Sequence, residues 1–481
     1  MLLVSSRRSR ASLMVLAVFL ALLLFLYRSQ SLVRRDDCFT HLLPLPIPPA
    51  PSLPSDPDFP DDYFVDSSES SWCQERFGMR YLEDARNFSA SYCTDESVSR
   101  FTCFSSVTAA GSPSRVDNMC YGHRAVFDVD LRQFRLACDL RALTPEETAR
   151  GVPVVPYQLS RYWYDTGPGV VMDEAVLLDN STPLQGSSQR TTILVQREGA
   201  GNVWHVLMEL MSLTWSLDVL QISIDAETGE PFVLPNAGEM TQVVLTDQHE
   251  DGIFVDLWKL FAKMPIRRIH ELDASEPVSD IVIPFSGGSN TLWQGDWVDL
   301  LCRDSALVKT FVSRVLAHYN MASPVKDGKK VVVTYTRRTN TRKLIDEAEH
   351  MEALRKQVPH MKLNVVDFSL LPFYEQLKVA RETDLLIGVH GAGLTHLMFL
   401  QPGSAVIEIL PEGFQHKGFR NLAQMLGIGF FRTHAKMHGD TSGAKQWQSD
   451  DVEIEQQKFI KVVGHGVASL YNNGMRAYDV A

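Results

Sequence analysis

A glycine-rich turn carries the residues of this chain that are best suited to bind an anion. The segment 384–396 reads DLLIGVHGAGLTH, in which an apolar run is followed by a turn with His390, Gly391 and Gly393 and then by a helix start. Glycines leave backbone N–H groups uncovered, and the helix dipole adds partial positive charge at that end. The pattern predicts phosphate binding here. A plain strand-to-helix turn with a capping histidine is the alternative.

A basic loop adds side chains that can bind a diphosphate. Arg337, Arg338 and Arg342 follow the apolar run VVVTY, in a chain whose formal net charge is −12. A guanidinium at a strand end suits a diphosphate because it donates two parallel hydrogen bonds. A solvated loop is the alternative, but the neighbouring turn favours phosphate contact, which we assign to Arg337 and Arg342.

The elements around the turn predict a layered α/β domain. The apolar run DLLIGV has no polar face, which is typical of a central strand in a parallel sheet. Strands are predicted at 329–335, 362–368 and 405–410, and helices at 344–357 and 372–382 and through Leu400. Strands that alternate with helices in this way predict a Rossmann-like fold with right-handed crossovers.

These motifs resemble those of glycosyltransferase family 61. The resemblance rests on RRTNTRKLIDE, DLLIGVHGAGLTH and PGSAVIEILPEGF, while SWCQERFGMRYLED is most similar to the branch that modifies EGF-like domains. It implies a GT-B-type α/β fold with two Rossmann-like lobes. It also implies an inverting glycosyltransferase that moves a sugar, expected to be GlcNAc from UDP-GlcNAc, to Ser or Thr hydroxyls of secretory-pathway proteins such as those with EGF-like domains.

The implied mechanism assigns a role to each motif. An acceptor hydroxyl attacks the anomeric carbon while UDP leaves from the opposite face, and cationic groups stabilise the departing diphosphate. No cofactor is then obligatory, although a divalent cation is compatible. Glu408, at the end of its strand, is expected to accept ribose hydroxyls. The residues expected to bind the UDP-sugar are Arg337, Arg342, His390, Gly391, Gly393 and Glu408.

The middle of the chain is expected to supply the acceptor side. Strands are predicted at 191–196, 242–246 and 281–284 and a helix from Gly201. Asn202, His205 and Glu209 match the family pattern N-x-x-H-x-x-x-D/E, which the resemblance places in the cleft. His205 and Glu209 share a helix face and are the candidate general bases. A buried histidine satisfied by its own carboxylate is the alternative, and a two-ligand metal site lacks an identifiable third ligand.

Three other functions remain open at this stage. Family members also transfer xylose or other pentose and N-acetylhexosamine units to glycans. Asp128 and Asp130 form a D-x-D pattern, by which GT-A enzymes hold Mn²⁺ against the donor. A lumenal binding protein without catalysis is the third, because fold alone does not determine function.

The amino-terminal region predicts a membrane anchor and a stem. An apolar run at 11–27 follows Arg7, Arg8 and Arg10, and the stretch 41–60 holds eight prolines. Seventeen helical residues span about 25 Å, which suits a thin endomembrane. Proline-rich sequence forms an extended spacer. We expect a single-pass type II protein of the endoplasmic reticulum or Golgi membrane, with its catalytic part in the lumen.

Cysteines and sequons agree with a lumenal location. Cys73, Cys93, Cys103, Cys120 and Cys138 cluster in one segment, and in an oxidising lumen they are expected to pair among themselves and with Cys302 as three bridges. Their spacing fits no zinc knuckle, and Cys38 is left over. Asn87 and Asn180 begin glycosylation sequons. The acidic net charge argues against a nucleic-acid partner.

The expected organisation has six parts. They are a cytosolic tail (1–10), a transmembrane signal anchor (11–27), a Pro-rich stem (28–70), a Cys-rich amino-terminal segment (71–185), an acceptor-side lobe (186–325), and a nucleotide-sugar lobe (326–481) with a return helix.

Overall fold

The computed structural model describes residues 59–64, 69–107, 116–180, 186–324, 330–438, 446–472 and 477–480. All of these belong to one compact unit, residues 56–481. The predicted anchor, Cys38 and most of the predicted stem lie outside the described residues. Within the ranges described, no helix combines the length and apolarity needed to span a bilayer.

The described chain is a mixed α/β protein. Its α-helices are α1 (Ser71–Phe77), α2 (Arg80–Asn87), α3 (Pro145–Ala149), α4 (Pro168–Ala175), α5 (Val203–Gln221), α6 (Thr291–Gln294), α7 (Ala306–His318), α8 (Glu347–Gln357), α9 (Phe373–Glu382), α10 (Gly418–Met425) and α11 (Gln456–Asn472). Its 3-10 helices are Trp163–Asp165, Ala237–Met240, Val255–Leu260, Ile269–Glu271, Gly287–Ser289, Phe368–Leu370 and Ala392–Phe399.

The strands form two sheets. They are β1 (Ser89–Ser91), β2 (Arg100–Ser106), β3 (Asp117–Asp128), β4 (Gln133–Leu136), β5 (Val176–Leu178), β6 (Arg190–Val195), β7 (Thr241–Leu245), β8 (Arg267–Arg268), β9 (Ser279–Ile283), β10 (Val331–Thr336), β11 (Met361–Val366), β12 (Leu385–Val389), β13 (Ala405–Pro411), β14 (Gly429–His438), β15 (Asp451–Glu453) and β16 (Ala477–Val480).

The amino-terminal sheet joins a parallel part to an antiparallel part. Its strand order is β1-β2-β3-β9-β6-β7-β8, with β4 on β3 and β5 on β4. Strands β9, β6, β7 and β8 run parallel, whereas β1 to β4 pair antiparallel with one another. The predicted strands at 191–196, 242–246 and 281–284 are thereby confirmed as β6, β7 and β9.

The carboxyl-terminal sheet has the strand order β11-β10-β12-β13-β14-β15, with β16 also paired to β14. The strands from β11 to β14 pair parallel with their neighbours, whereas β15 pairs antiparallel with β14. These first five strands, β11, β10, β12, β13 and β14, form the parallel part of the sheet. The predicted central position of DLLIGV is confirmed, because β12 lies between β10 and β13. Taken in chain order, these five strands follow the pattern 2-1-3-4-5. Such a sheet has a topological switch point between its first and third strands, and ligands bind in the crevice at their carboxyl ends.

One predicted helix begins later than its apolar pattern indicates. The pattern starts at Leu344, but α8 starts at Glu347. Leu344 forms a bridge with Val452, and Asp346 has a left-handed φ of 54°. A tertiary strand contact thus replaces the first helical turn.

Helix α5 runs through the largest apolar cluster. The Asn202 side chain caps it by accepting a hydrogen bond from the Trp204 N–H, 3.1 Å away. The helix is apolar on nearly all sides, which is typical of a helix buried all round. Leu207 belongs to the same cluster as Leu386 of β12 and Leu397. The amino-terminal end of α5 therefore lies close to the carboxyl-terminal sheet.

Three disulfides confirm the predicted pairing of the five clustered cysteines with Cys302. They join Cys73 to Cys302, Cys93 to Cys138, and Cys103 to Cys120. Cys103 and Cys120 lie directly opposite each other on β2 and β3. Strand register, which the spacing of cysteines does not reveal, therefore determined this connectivity.

Candidate functional site

Two cavities lie on either side of the turn that follows β12. The first, here called the loop cavity, has a volume of about 630 Å³ and is lined by the loop 336–341, the segment 250–254, Asp367 and Gly393. The second, here called the aromatic cavity, has a volume of about 690 Å³ and is lined by tryptophans and by His205, Arg342 and His390. Ala392 lines both. The turn therefore lies where one elongated ligand can reach both cavities.

Gly391 is the point at which two arginines converge. Its φ is 152°, and with ψ of 176° it adopts a backbone conformation that is almost exclusive to glycine. A Cβ at this position would lie 2.3 Å from Arg338 Nη1 and 3.2 Å from Arg342 Nη2. The 3-10 helix Ala392–Phe399 begins at the next residue. The absent side chain thus leaves room for two guanidiniums at a helix N-terminus.

Arg338 and Arg342 form no ion pair with any carboxylate that the structure describes. Burial lowers the pKa of Arg342 to about 10, and the charge of Arg338 adds to this effect. Arg338 Nε donates to the carbonyl of Thr341 at 2.9 Å. Two partly buried cations without an ion-paired carboxylate in the described residues are unfavourable alone and stabilise a bound anion.

The sequence assigned the diphosphate to Arg337 and Arg342, but the structure places these two side chains in different cavities. Arg337 lines the loop cavity, but Arg337 Nε donates to Glu347 Oε1 at 2.7 Å and the side chain is 47% exposed. Arg338, which the sequence analysis did not select, lies over Gly391 instead. Side chains of successive residues after a strand point in different directions, so the loop conformation had to be known.

His390 and Glu408 form a buried hydrogen-bonded pair. His390 Nδ1 lies 2.7 Å from Glu408 Oε1. Burial holds the pKa of His390 well below its usual range and raises the pKa of Glu408 to about 7. Glu408 is 1% exposed and contacts His390 rather than open space. Its predicted ribose contact remains a prediction that the surrounding packing does not favour.

His390, Glu408 and His416 also place three possible metal-ligand atoms within 4.8 Å of one another. Both nitrogens of His416 are already engaged, since Nδ1 accepts from the Gly418 N–H at 3.2 Å and Nε2 lies 3.1 Å from Asp296 Oδ2. With His390 and Glu408 bonded to each other, this cluster is built as two hydrogen-bonded pairs. Two imidazole nitrogens and a carboxylate are a donor set that metal ions accept, but here each of these groups already has a hydrogen-bond partner.

His205 and Glu209, both on α5, have different surroundings. His205 lines the aromatic cavity, and its ring stacks on Trp293 with centroids 4.5 Å apart. Glu209 is 6% exposed and lines neither large cavity. Its Oε1 accepts from the Glu198 N–H at 2.8 Å, and burial raises its pKa to about 8. Of the two candidate bases, His205 is the one beside an open cavity, and Asn202 lines that cavity as well.

Exposed rings surround the mouth of the aromatic cavity. Trp163, Tyr164 and Trp297 are 41%, 61% and 55% exposed. Tyr164 lies in the 3-10 helix Trp163–Asp165 and has a left-handed φ of 63°. Large exposed aromatic side chains are typical of binding surfaces because they bury much area at low entropic cost.

Asp367 is a second residue that the sequence analysis did not select. It follows β11 and lines the loop cavity. Its Oδ2 accepts from Thr339 Oγ1 at 3.1 Å, so its carboxylate lies next to the arginine loop. An acidic residue after the second strand of a Rossmann-like unit is the usual ribose ligand, and that signal was present in the sequence.

The other sequence candidates lie away from both cavities. Asp128 ends β3, where its Oδ1 accepts from the N–H groups of Asp130 and Leu131, each at 3.0 Å, and its Oδ2 accepts from Arg135. The D-x-D pattern is therefore a hairpin turn that lines neither cavity. Asn87 and Asn180 are exposed, as sequons require, and Asn180 Nδ2 donates to Asp139.

Comparisons with known proteins match part of the chain to a family model. Residues 204–407 match the family model described as Glycosyltransferase 61. This match covers β12, the Gly391 turn, the arginine loop and the amino-terminal end of α5, which carry the site described above.

Curated relatives share the name EGF domain-specific O-linked N-acetylglucosamine transferase. The Bos taurus protein is 30% identical over 199 residues, covering 39% of this chain and 37% of that protein. The Rattus norvegicus protein is 32% identical over 197 residues (39% and 36%), and the Drosophila melanogaster protein is 28% identical over 250 residues (50% and 44%). These matches span less than half the length of each relative.

A solved flavodiiron core from Synechocystis aligns with a TM-score of 0.21 at 9% identity, over 80% of this chain and 99% of that one, which is too weak to bear on fold or function. The resemblance to glycosyltransferase family 61 that the motifs predicted is confirmed over residues 204–407 by the family model, and the curated relatives are transferases by name.

Proposed function

We propose that this protein is an inverting, UDP-sugar-dependent glycosyltransferase that moves GlcNAc to Ser or Thr hydroxyls of EGF-like domains. The names of the relatives support this donor and acceptor. The two sheets, with the site at the carboxyl end of the second, support a GT-B arrangement of two Rossmann-like lobes.

The observation that carries the proposal is the pair of guanidiniums over Gly391. Arg338 and Arg342 lack a carboxylate partner in the described ranges, and both approach the N-terminus of the helix Ala392–Phe399. A diphosphate supplies the missing negative charge, and it gains further charge as the sugar leaves. These groups therefore favour UDP departure with no obligatory metal ion.

His390 completes the diphosphate site. The raised pKa of Glu408 and the lowered pKa of His390 favour a protonated Glu408 that donates to His390 Nδ1. His390 Nε2–H is then the donor left for the diphosphate. Glu408 acts through His390, and Asp367 takes the ribose hydroxyls in the loop cavity.

The aromatic cavity receives the donor sugar and the acceptor. His205 takes the proton of the acceptor hydroxyl, whose oxygen forms a bond to the anomeric carbon. The bond from that carbon to the diphosphate oxygen breaks, and UDP leaves with the electron pair. Because attack and departure occur on opposite faces, the anomeric configuration inverts.

A lumenal setting in the endoplasmic reticulum or Golgi is part of the proposal. The three disulfides support an oxidising compartment. Exposed sequons at Asn87 and Asn180 support passage through the secretory pathway, where an amino-terminal anchor holds the protein on the membrane.

The test is transfer to a folded EGF repeat. The full-length protein in detergent is incubated with UDP-GlcNAc, UDP-xylose or another UDP-sugar, with and without EDTA, and the acceptor mass is measured. We expect one HexNAc increment that survives EDTA and is absent in an Arg338→Ala, Arg342→Ala double variant. Arg355→Ala, an exposed arginine on α8, is the matched control. Loss of transfer in EDTA would contradict the metal-independent mechanism, and transfer from UDP-xylose alone would contradict the donor.

A further inference from the structure

Glu198 makes a side-chain contact that the mechanism so far does not use. It lies in the loop between β6 and α5, and its Oε1 contacts His205 Nδ1. Its other carboxylate oxygen, Oε2, is buried and has no hydrogen-bond partner. The contact to His205 is thus the one interaction that the described residues offer to this buried carboxylate.

The His205 ring is held from several directions. Trp293 stacks on it with centroids 4.5 Å apart and planes 26° apart, and the ring of Tyr164 lies 5.8 Å away. Nδ1 is engaged by Glu198, while Nε2 has no hydrogen-bond partner in the described part of the chain. The imidazole therefore presents one fixed nitrogen to the aromatic cavity.

The backbone of Glu198 is anchored as well. Its N–H donates to Glu209 Oε1 at 2.8 Å. Glu209 packs closely on the backbone of Gly287, where a Cβ would lie 2.8 Å from Glu209 Cγ. Glu209 thus holds the loop that brings Glu198 to His205.

We infer that Glu198 is a positioning residue for acceptor activation: it fixes the Nδ1–H tautomer of His205 and stabilises the imidazolium that forms when Nε2 takes the acceptor proton. This inference rests on the proposed function. A carboxylate that bonds one histidine nitrogen leaves the other as base and offsets the positive charge formed during the reaction. No bond to Glu198 forms or breaks.

The charged and titratable groups around His205 are few. Glu198 and Tyr164 face its ring, and Glu209 accepts the hydrogen bond of the Glu198 N–H. Those across the aromatic cavity are Asp296, Arg342, His390 and His416.

The test compares Glu198→Gln and Glu198→Asp in the full-length protein in detergent, with UDP-GlcNAc and the folded EGF repeat. We expect Glu198→Gln to lower kcat at least about tenfold. UDP affinity by calorimetry should stay within about twofold, because Glu198 lies outside the diphosphate site. Glu198→Asp should restore part of kcat.

A double-variant cycle and a matched control complete the design. In a His205→Ala background, Glu198→Gln should lower kcat little further, because Glu198 and His205 act as a unit. Glu453→Gln breaks the exposed His438–Glu453 pair outside both cavities and should leave kcat unchanged.

Three outcomes overturn the inference. One is wild-type kcat in Glu198→Gln. Another is a parallel loss of UDP affinity and melting temperature, which would make the role structural. The last is a full additional loss in the His205→Ala background. A wild-type protein that transfers no sugar would overturn the proposed function itself, and this assignment with it.

Discussion

His390 directly follows β12, Glu408 lies within the adjacent parallel strand β13, and a 2.7 Å hydrogen bond joins His390 Nδ1 to Glu408 Oε1. Glu408 is paired in register with Gly388, two residues before His390. The carboxyl group therefore approaches the imidazole from within the core. The ring is left facing the arginines.

This relationship predicts how two acidic residues differ. Glu408→Asp should lose reach to His390 and weaken binding of UDP and of inorganic diphosphate alike, because only the diphosphate contact suffers. Glu408→Gln keeps a donor and should bind both nearly as the wild type does. Asp367→Asn should weaken the binding of UDP by about tenfold, the usual effect of losing a hydrogen bond to a charged group. The binding of inorganic diphosphate should not change. Calorimetry measures the binding of both ligands to the wild type and to the three variants, and a loss specific to UDP in Glu408→Asp would restore Glu408 as the ribose ligand.

The arginines should separate by their partners. Arg338→Ala and Arg342→Ala should each weaken UDP binding by about tenfold to a hundredfold, because neither guanidinium has a carboxylate partner among the described residues and the bound diphosphate would supply the negative charge. Arg337→Ala should cost less, since Glu347 already pairs that side chain. Calorimetry at several salt concentrations is the measurement. The assignment fails if Arg337→Ala has the larger effect.

Gly391→Ala should disable the turn without unfolding the sheet. A methyl group would lie 2.3 Å from Arg338 Nη1, and φ of 152° disfavours a side chain. The backbone conformation costs an alanine about 1–3 kcal/mol. The steric clash is relieved when the arginines move away, which lowers UDP affinity. We expect weaker UDP binding with nearly unchanged near-UV circular dichroism. Gly403→Ala, a positive-φ glycine with no atom near its Cβ position, is the control for backbone strain alone. Equal effects on UDP binding would contradict the prediction.

Glu209 should make the stability of the protein depend on pH. Burial raises its pKa to about 8 from 4.5, so the folded state prefers the protonated form. Its stabilising contribution is complete below about pH 4.5 and declines as pH rises toward 8, by up to about 1.4 kcal/mol per unit. Glu209→Gln imitates the protonated form. Its melting temperature should therefore exceed that of the wild type at pH 8.5 and be close to that of the wild type at pH 5. It should also retain turnover, and a large fall in kcat with intact UDP affinity would make Glu209 the base.

The aromatic rim should affect the acceptor rather than the donor. Trp163→Ala should raise the acceptor KM several-fold, because the ring is 41% exposed at the mouth of the aromatic cavity. UDP affinity should not change. Trp72→Ala, a partly exposed tryptophan on α1 that lines neither cavity, is the control. Steady-state kinetics with varied EGF-repeat concentration decides, and a changed UDP affinity with a constant KM would oppose the assignment.

The sequence predicted the carboxyl-terminal part of the fold well because local signals there are strong. Continuous apolar runs and intervening helical patterns predicted β10 to β13, and the glycines of the turn predicted a site at the end of β12. Helix α8 was predicted to begin too early, because the bridge of Leu344 to Val452 joins residues more than a hundred positions apart. The pairing of Cys73 with Cys302 was open in detail for the same reason.

By itself, the sequence determined the residue types available to the site and the strand ends at which they lie. Those follow from periodicity and glycine placement, which are local properties of the chain. Only the tertiary structure decided that Arg338 rather than Arg337 lies over Gly391, that Glu408 lies behind His390, and that His205 meets Glu198. These are contacts between side chains whose directions depend on loop conformation and on packing between distant segments, and no short stretch of sequence encodes either.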